Sequence, residues 1–122
     1  MLADAAYLLI GAATLGSLLA IVQLQRPVSP PIPWYVGALH GMIGAAGTIL
    51  MLAAPARAAA AVAGAQGFRV IAAVLLVLAL MAGLWIFRAR VSKRPLSFGV
   101  VGVHALLAIS GVVLLGAYLA TG

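Results

Sequence analysis

The sequence predicts an all-α membrane protein, a bundle of four transmembrane helices in up-down order. Of its 122 residues, 66% are hydrophobic and only 7% are charged, whereas about a quarter of the residues in soluble domains are charged. The few charged residues divide the chain into apolar stretches about as long as the 20 residues that a membrane-crossing helix needs. These proportions exclude a soluble globular enzyme, and the high hydrophobicity excludes a disordered chain.

The apolar stretches define a single transmembrane domain, 1–122, with spans at about residues 5–25, 34–54, 68–88 and 97–120. The proline-rich stretch 26–33 separates the first two spans, because proline lacks an N–H and restricts the residue before it. Pro55 ends the second span, and Ser97 is a candidate N-cap for the fourth. The sequence does not decide whether residues 56–67 form a short interfacial helix.

Basic residues beside the spans predict the orientation. The loops after the first and third spans share one side and contain five of them: Arg26, Arg88, Arg90, Lys93 and Arg94. The opposite side contains two, Arg57 and Arg69. This bias favours both termini outside, in the periplasm if the source is bacterial, and the basic loops in the cytoplasm. We expect a protein of the bacterial inner membrane. The formal charge of +6 then reflects loops beside anionic lipid and not a nucleic-acid partner.

The composition also excludes several chemistries. Without cysteine the chain forms no disulfide, zinc–cysteine site or iron–sulfur cluster. With one acidic residue it has no carboxylate pair for hydrolysis and no carboxylate-rich metal site. No nucleophile–base arrangement is visible, so an electron-transfer or accessory subunit is favoured over an enzyme acting by itself.

An internal repeat emerges when the sequence is shifted against itself by 64 residues. The shift aligns Arg26 with Arg90 and His40 with His104. It also aligns Gly44 with Ala108 and Gly47 with Gly111. We therefore predict two tandem helix hairpins, about 1–58 and 65–122, related by a pseudo-twofold axis along the membrane normal. Chance similarity between Ala-, Leu- and Gly-rich segments is the alternative.

The two histidines are the candidate site, because ionisable side chains inside a membrane are costly and usually face the bundle interior. His40 and His104 lie at similar depth in the second and fourth helices, which run in the same direction and are diagonal partners in an up-down bundle. Small residues follow each histidine at i+4 and i+7: Gly44, Gly47, Ala108 and Gly111. They either let helices touch or leave a slot for a flat macrocycle whose iron takes one imidazole from each helix.

These residues resemble the membrane-embedded b-type cytochromes, in particular the cytochrome b561-type and related small quinone-linked subunits. The resemblance implies a haem b with His40 and His104 as ligands, lined by the small residues one and two turns further on. It also implies electron transfer between the quinone pool and a partner protein, in a homo-oligomer or a larger membrane complex. Unlike the b561 pattern, the chain has four helices and two histidines, which allows one haem per chain. Arg26 and Arg90, aligned by the repeat, are the candidates to pair with its propionates.

A cofactor-free accessory subunit of a larger membrane complex is the alternative. In that hypothesis each imidazole hydrogen-bonds a backbone carbonyl or hydroxyl group and holds two helices together. A proton relay, a quinone contact or another metal site is also open, although zinc prefers four ligands.

Overall fold

A computed structural model describes residues 1–25, 32–55 and 64–121. It contains four helices: α1 (Leu2–Gln25), α2 (Trp34–Ala53), α3 (Ala65–Val91) and α4 (Phe98–Ala120). All four are long and apolar enough to cross a membrane, which confirms the predicted integral membrane four-helix bundle. The described residues do not include Arg26, the prolines of 27–31, Arg57 or most of the segment 56–67.

The helix ends follow local backbone rules. Pro33 and Ser97 precede α2 and α4 in extended conformations. Ser97 thus occupies the predicted N-cap position, but its side chain makes no capping hydrogen bond, and its backbone carbonyl accepts the N–H groups of Val100 and Val101. Gly64, before α3, has φ 93°, a left-handed conformation that glycine adopts without a Cβ clash.

The helices form a ring in chain order, with α1 beside α2 and α4, and α3 beside α2 and α4. The closest packing lies within two hairpins, α1–α2 and α3–α4, and the contact between the hairpins is looser. The ends of α1 and α3 and the starts of α2 and α4 define one membrane face, here called the basic face. The opposite end, with both ends of the chain, is called the terminal face.

The half of the bundle nearer the terminal face contains the solid core. Its buried cluster comprises Ala5, Leu9, Met51, Ala65, Ala72, Leu76, Leu115 and Tyr118. The outer surfaces carry many exposed Leu, Ile, Val, Met and aromatic side chains. This is the distribution expected when the surrounding solvent is lipid, because lipid tails are as apolar as the side chains that meet them.

Two arginines of α3 connect the hairpins, one at each end of the bundle. Near the terminal face, Arg69 donates to the carbonyl of Met51 at 3.4 Å and to that of Ala54. At the basic face, Arg90 donates to the Gln23 side-chain oxygen at 3.2 Å and to the Ile32 carbonyl at 2.6 Å. The hairpins are therefore joined by charged hydrogen bonds at both ends, while the space between them is loosely filled.

Equivalent contacts recur in the two hairpins, but with two different spacings. The histidines and the glycines of α2 and α4 are related by the expected 64 residues: His40 with His104, and Gly47 with Gly111. Their partners in α1 and α3 are related by 67 residues: Leu9 with Leu76, Ala12 with Ala79, and Gly16 with Gly83. The single shift of 64 therefore has to be corrected for the first helix of each hairpin, where Gln23 and not Arg26 is the counterpart of Arg90.

Candidate functional site: a histidine pair between two hairpins

The bundle brings the two histidines together. His40 projects from α2 and His104 from α4, the diagonal helices of the ring. Their ring centres are 6.0 Å apart, and the ring planes are inclined at 88°. Within the described residues, no cluster of three or more His, Cys, Asp or Glu side chains exists. The site is thus a pair of imidazoles, one from each hairpin.

Each imidazole is fixed by its own hairpin through one nitrogen. His40 Nδ1 lies 2.9 Å from the Ala12 carbonyl oxygen of α1, and His104 Nδ1 lies 2.9 Å from the Ala79 carbonyl oxygen of α3. A carbonyl oxygen only accepts hydrogen bonds, so the Nδ1 of each ring carries the proton that it donates. In the neutral imidazole this leaves Nε2 as an acceptor. Two acceptor nitrogens do not satisfy each other, whereas a metal ion or a shared proton donor satisfies both.

A glycine of the neighbouring helix lies against each ring. A Cβ added to Gly16 of α1 would lie 2.7 Å from His40 Cε1, and one added to Gly83 of α3 would lie 3.0 Å from His104 Cε1. Carbon atoms in ordinary contact are about 3.5–4.0 Å apart. A side chain at Gly16 would therefore displace the His40 ring, and one at Gly83 would press on the His104 ring.

Two cavities flank the histidine pair in the loose seams between the hairpins. The α2–α3 cavity has a volume of about 340 Å³ and the α1–α4 cavity about 330 Å³. Both are bordered by His40, His104, Gly37, Gly83 and Ala108. Because the two seams lie on opposite sides of the bundle, the pair stands between two open spaces with apolar walls.

The small residues that follow the histidines divide into two groups. Gly44 borders the α2–α3 cavity and Ala108 borders both flanking cavities. Gly47 lies against Leu9, whose Cγ is 2.8 Å from the position of an added Cβ, and Gly111 lies against Leu76 at 2.7 Å. These last two glycines allow close helix contact within each hairpin, which was the simpler of the two interpretations left open by the sequence.

Of the two arginines proposed for the propionates, the structure describes only Arg90. Arg90 borders the α1–α4 cavity and also a larger cavity of about 1150 Å³ at the basic face, here called the basic-end cavity. Its guanidinium group is held by the Gln23 side chain and the Ile32 carbonyl. Arg26 lies outside the described residues, so its predicted role stays a prediction.

Sequence reasoning missed the contribution of α1 and α3. The sequence did not predict that Gly16, Gly83 and the carbonyls of Ala12 and Ala79 contact the histidines. The 67-residue spacing that relates these positions to one another was present in the sequence, but the 64-residue shift that aligns the histidines hides it.

The fold and the site define a class of protein: an integral membrane four-helix bundle with an interior histidine pair shared between two hairpins. No family model, curated protein or solved structure matches the chain. The function therefore has to be argued from the site itself.

Proposed function

We propose that the protein binds one haem b between its hairpins, with His40 and His104 as axial ligands. It would act as an electron carrier or as the membrane subunit of a redox complex, between the quinone pool and a partner. The observation that carries the proposal is the pair of imidazoles, each with Nδ1 bonded to a carbonyl at 2.9 Å and their centres 6.0 Å apart.

The spacing of the rings suits a shared metal. Metal–imidazole bonds are about 2 Å long, so two rings that bind one metal through Nε2 have centres about 6 Å apart. Metal-binding histidines usually donate their other ring nitrogen to a carbonyl or carboxylate, which fixes the tautomer and raises the basicity of the ligand. The Ala12 and Ala79 carbonyls occupy that position for the two rings.

The surroundings also suit a flat apolar group. The two cavities beside the pair provide space on both sides of the axis that joins the rings. Gly44 and Ala108 would line the group, and Gly16 and Gly83 keep the imidazoles in place. Arg90, at the basic side of the α1–α4 cavity, would hold a carboxylate of the macrocycle. The haem would supply one-electron chemistry, and the protein would supply ligation, orientation and an apolar environment.

The test is a reduced-minus-oxidised visible spectrum of the protein purified in mild detergent after expression with sufficient haem. We expect the sharp bands of six-coordinate haem b, lost in His40→Ala and in His104→Ala. Added imidazole would restore six-coordinate bands in the variants, because it replaces the missing ligand. A colourless wild-type protein that also fails to take up added haem would refute the proposal.

The cofactor-free alternative has one observation in its favour. Each Nδ1 hydrogen bond already ties the two helices of its own hairpin together, which is a sufficient structural role for a half-buried histidine. That role alone predicts a loss of thermal stability in both alanine variants, with no visible absorption and no rescue by imidazole. The same two variants therefore separate the hypotheses.

A further inference from the structure

A second candidate site lies at the basic face, outside the histidine pair. The basic-end cavity measures about 1150 Å³, slightly above the range of about 300–1,000 Å³ that is common for small-molecule pockets. It adjoins the α1–α4 cavity through shared wall residues, among them Gln23, Phe87 and Arg90. The histidine pair does not border it, so its occupant would not be a ligand of that pair.

The walls of the basic-end cavity are apolar at one end and cationic at the other. Toward the bundle centre they are apolar, formed by Ala20, Phe87, Val101 and Ala105. At the outer end they carry three cationic side chains: Arg90, Lys93 and Arg94. Trp34 and Phe98 stand at the same end and are 60% and 71% exposed, as expected of aromatic residues at the level of lipid headgroups.

The three cations have no acidic side chain to neutralise them. The sequence contains one acidic residue, Asp4, which is paired at 2.7 Å with the N-terminal ammonium group at the terminal face. Arg90 is hydrogen-bonded, but to a neutral amide and a neutral carbonyl. The acidic residues of the sequence therefore supply no counter-charge at this cavity.

The backbone that presents one of these cations is unusual. Helix α3 ends in a Schellman motif, in which Lys93 N–H bonds the Arg90 carbonyl at 3.1 Å and Arg94 N–H bonds the Ala89 carbonyl at 2.9 Å. Lys93 has φ 53°, in the position that glycine normally occupies in this motif. A lysine there is conformationally unfavourable, and residues held in such backbone conformations cluster at functional sites.

We propose that the basic-end cavity binds the phosphate headgroup of an anionic membrane lipid, with Lys93 and Arg94 on the phosphate and the acyl chain along the apolar inner wall. The cavity combines cationic residues at the headgroup level with apolar inner walls, so a membrane-resident amphiphile fits it better than a free anion does. This inference does not rest on the proposed haem.

Native mass spectrometry from mild detergent tests the proposal with phosphatidylglycerol, with phosphatidylcholine of identical acyl chains, and with sodium phosphate. A basic residue near an anionic headgroup raises affinity about fivefold, so we expect phosphatidylglycerol to be retained about 25-fold better than phosphatidylcholine. Lys93→Gln and Arg94→Gln should each reduce this preference about fivefold. The control is Arg88→Gln, which removes the same charge from an exposed residue that does not line the cavity, and it should leave the preference unchanged.

The outcomes are distinguishable from those of the haem test. His104→Ala, which removes a proposed haem ligand, should keep the lipid preference. Equal retention of the two lipids would overturn the proposal, and so would an equal effect of Arg88→Gln and Lys93→Gln, since that result indicates unspecific attraction to the loops. Retention of phosphate ions to the same extent as phosphatidylglycerol would also overturn it, because a free anion would then suffice.

Discussion

The glycines beside the histidines provide a graded test of the site. In Gly16→Ala the new Cβ would lie 2.7 Å from His40 Cε1, about 1 Å inside normal carbon–carbon contact. The methyl group is attached to a rigid helix, so the imidazole must move by about that amount. A displacement of about 1 Å is about half the length of a metal–nitrogen bond of about 2 Å, and it would also break the 2.9 Å hydrogen bond to the Ala12 carbonyl.

The expected effects on stability and on haem binding differ in size. Overpacking costs about 1–3 kcal/mol and the lost hydrogen bond about 0.5–1.5 kcal/mol, while replacing a helical glycine by alanine returns about 1 kcal/mol. Gly16→Ala should therefore lose about 0.5–3.5 kcal/mol of stability. Its haem should become five-coordinate or be lost altogether.

Two matched variants, Gly83→Ala and Gly11→Ala, should affect haem binding less than Gly16→Ala does. In Gly83→Ala the added Cβ would lie 3.0 Å from His104 Cε1, and in Gly11→Ala on α1 it would meet nothing within 4 Å. Haem titration followed by visible spectroscopy, with thermal melting of the same samples, should show the strongest loss for Gly16→Ala, a weaker loss for Gly83→Ala and none for Gly11→Ala. Normal six-coordinate haem in Gly16→Ala would refute the reasoning, because the ring would then not be held where the structure places it.

Three further substitutions test other parts of the structure by thermal melting in detergent. Arg69→Gln should lower the free energy of unfolding by about 1.5–3 kcal/mol, since it removes the charged hydrogen bonds to carbonyls such as that of Ala54. Gly111→Ala should cost up to about 2 kcal/mol, because the new Cβ would lie 2.7 Å from Leu76 Cγ while the helix gains about 1 kcal/mol, and it should leave any haem spectrum unchanged. Lys93→Gly should stabilise the protein by about 1 kcal/mol by relieving the φ of 53°, while lowering the retention of phosphatidylglycerol.

Each of these expectations has a contradicting result. Gly116→Ala is the control for Gly111→Ala, because an added Cβ there would meet nothing within 4 Å, and equal melting of the two variants would argue against the close helix contact. An unchanged melting temperature in Arg69→Gln would show that the hairpins do not depend on that connection. A destabilised Lys93→Gly variant would show that the lysine side chain supports the loop and is not held there at a conformational cost.

The sequence by itself determined the four spans and the up-down order. The bilayer fixes the length of an apolar helix, and each apolar stretch is long enough for one span only. The sequence also identified His40 and His104 as a pair, because ionisable residues at matching depth in parallel spans are too costly to face lipid. That they stand 6.0 Å apart bears out their expected placement, while their ligand role stays a proposal.

The tertiary structure decided how the helices are set against each other. The spacing of apolar residues indicates which face of a helix points into the bundle. It does not fix the axial position of one helix against its neighbour, because that position depends on how the side chains interdigitate. This axial position brings the Ala12 carbonyl and Gly16 to His40 and leaves Gly47 against Leu9. It also places Gln23 beside Arg90. The residues that orient the histidines therefore emerged only from the packed structure, because their role depends on contacts between helices that the sequence pattern leaves undetermined.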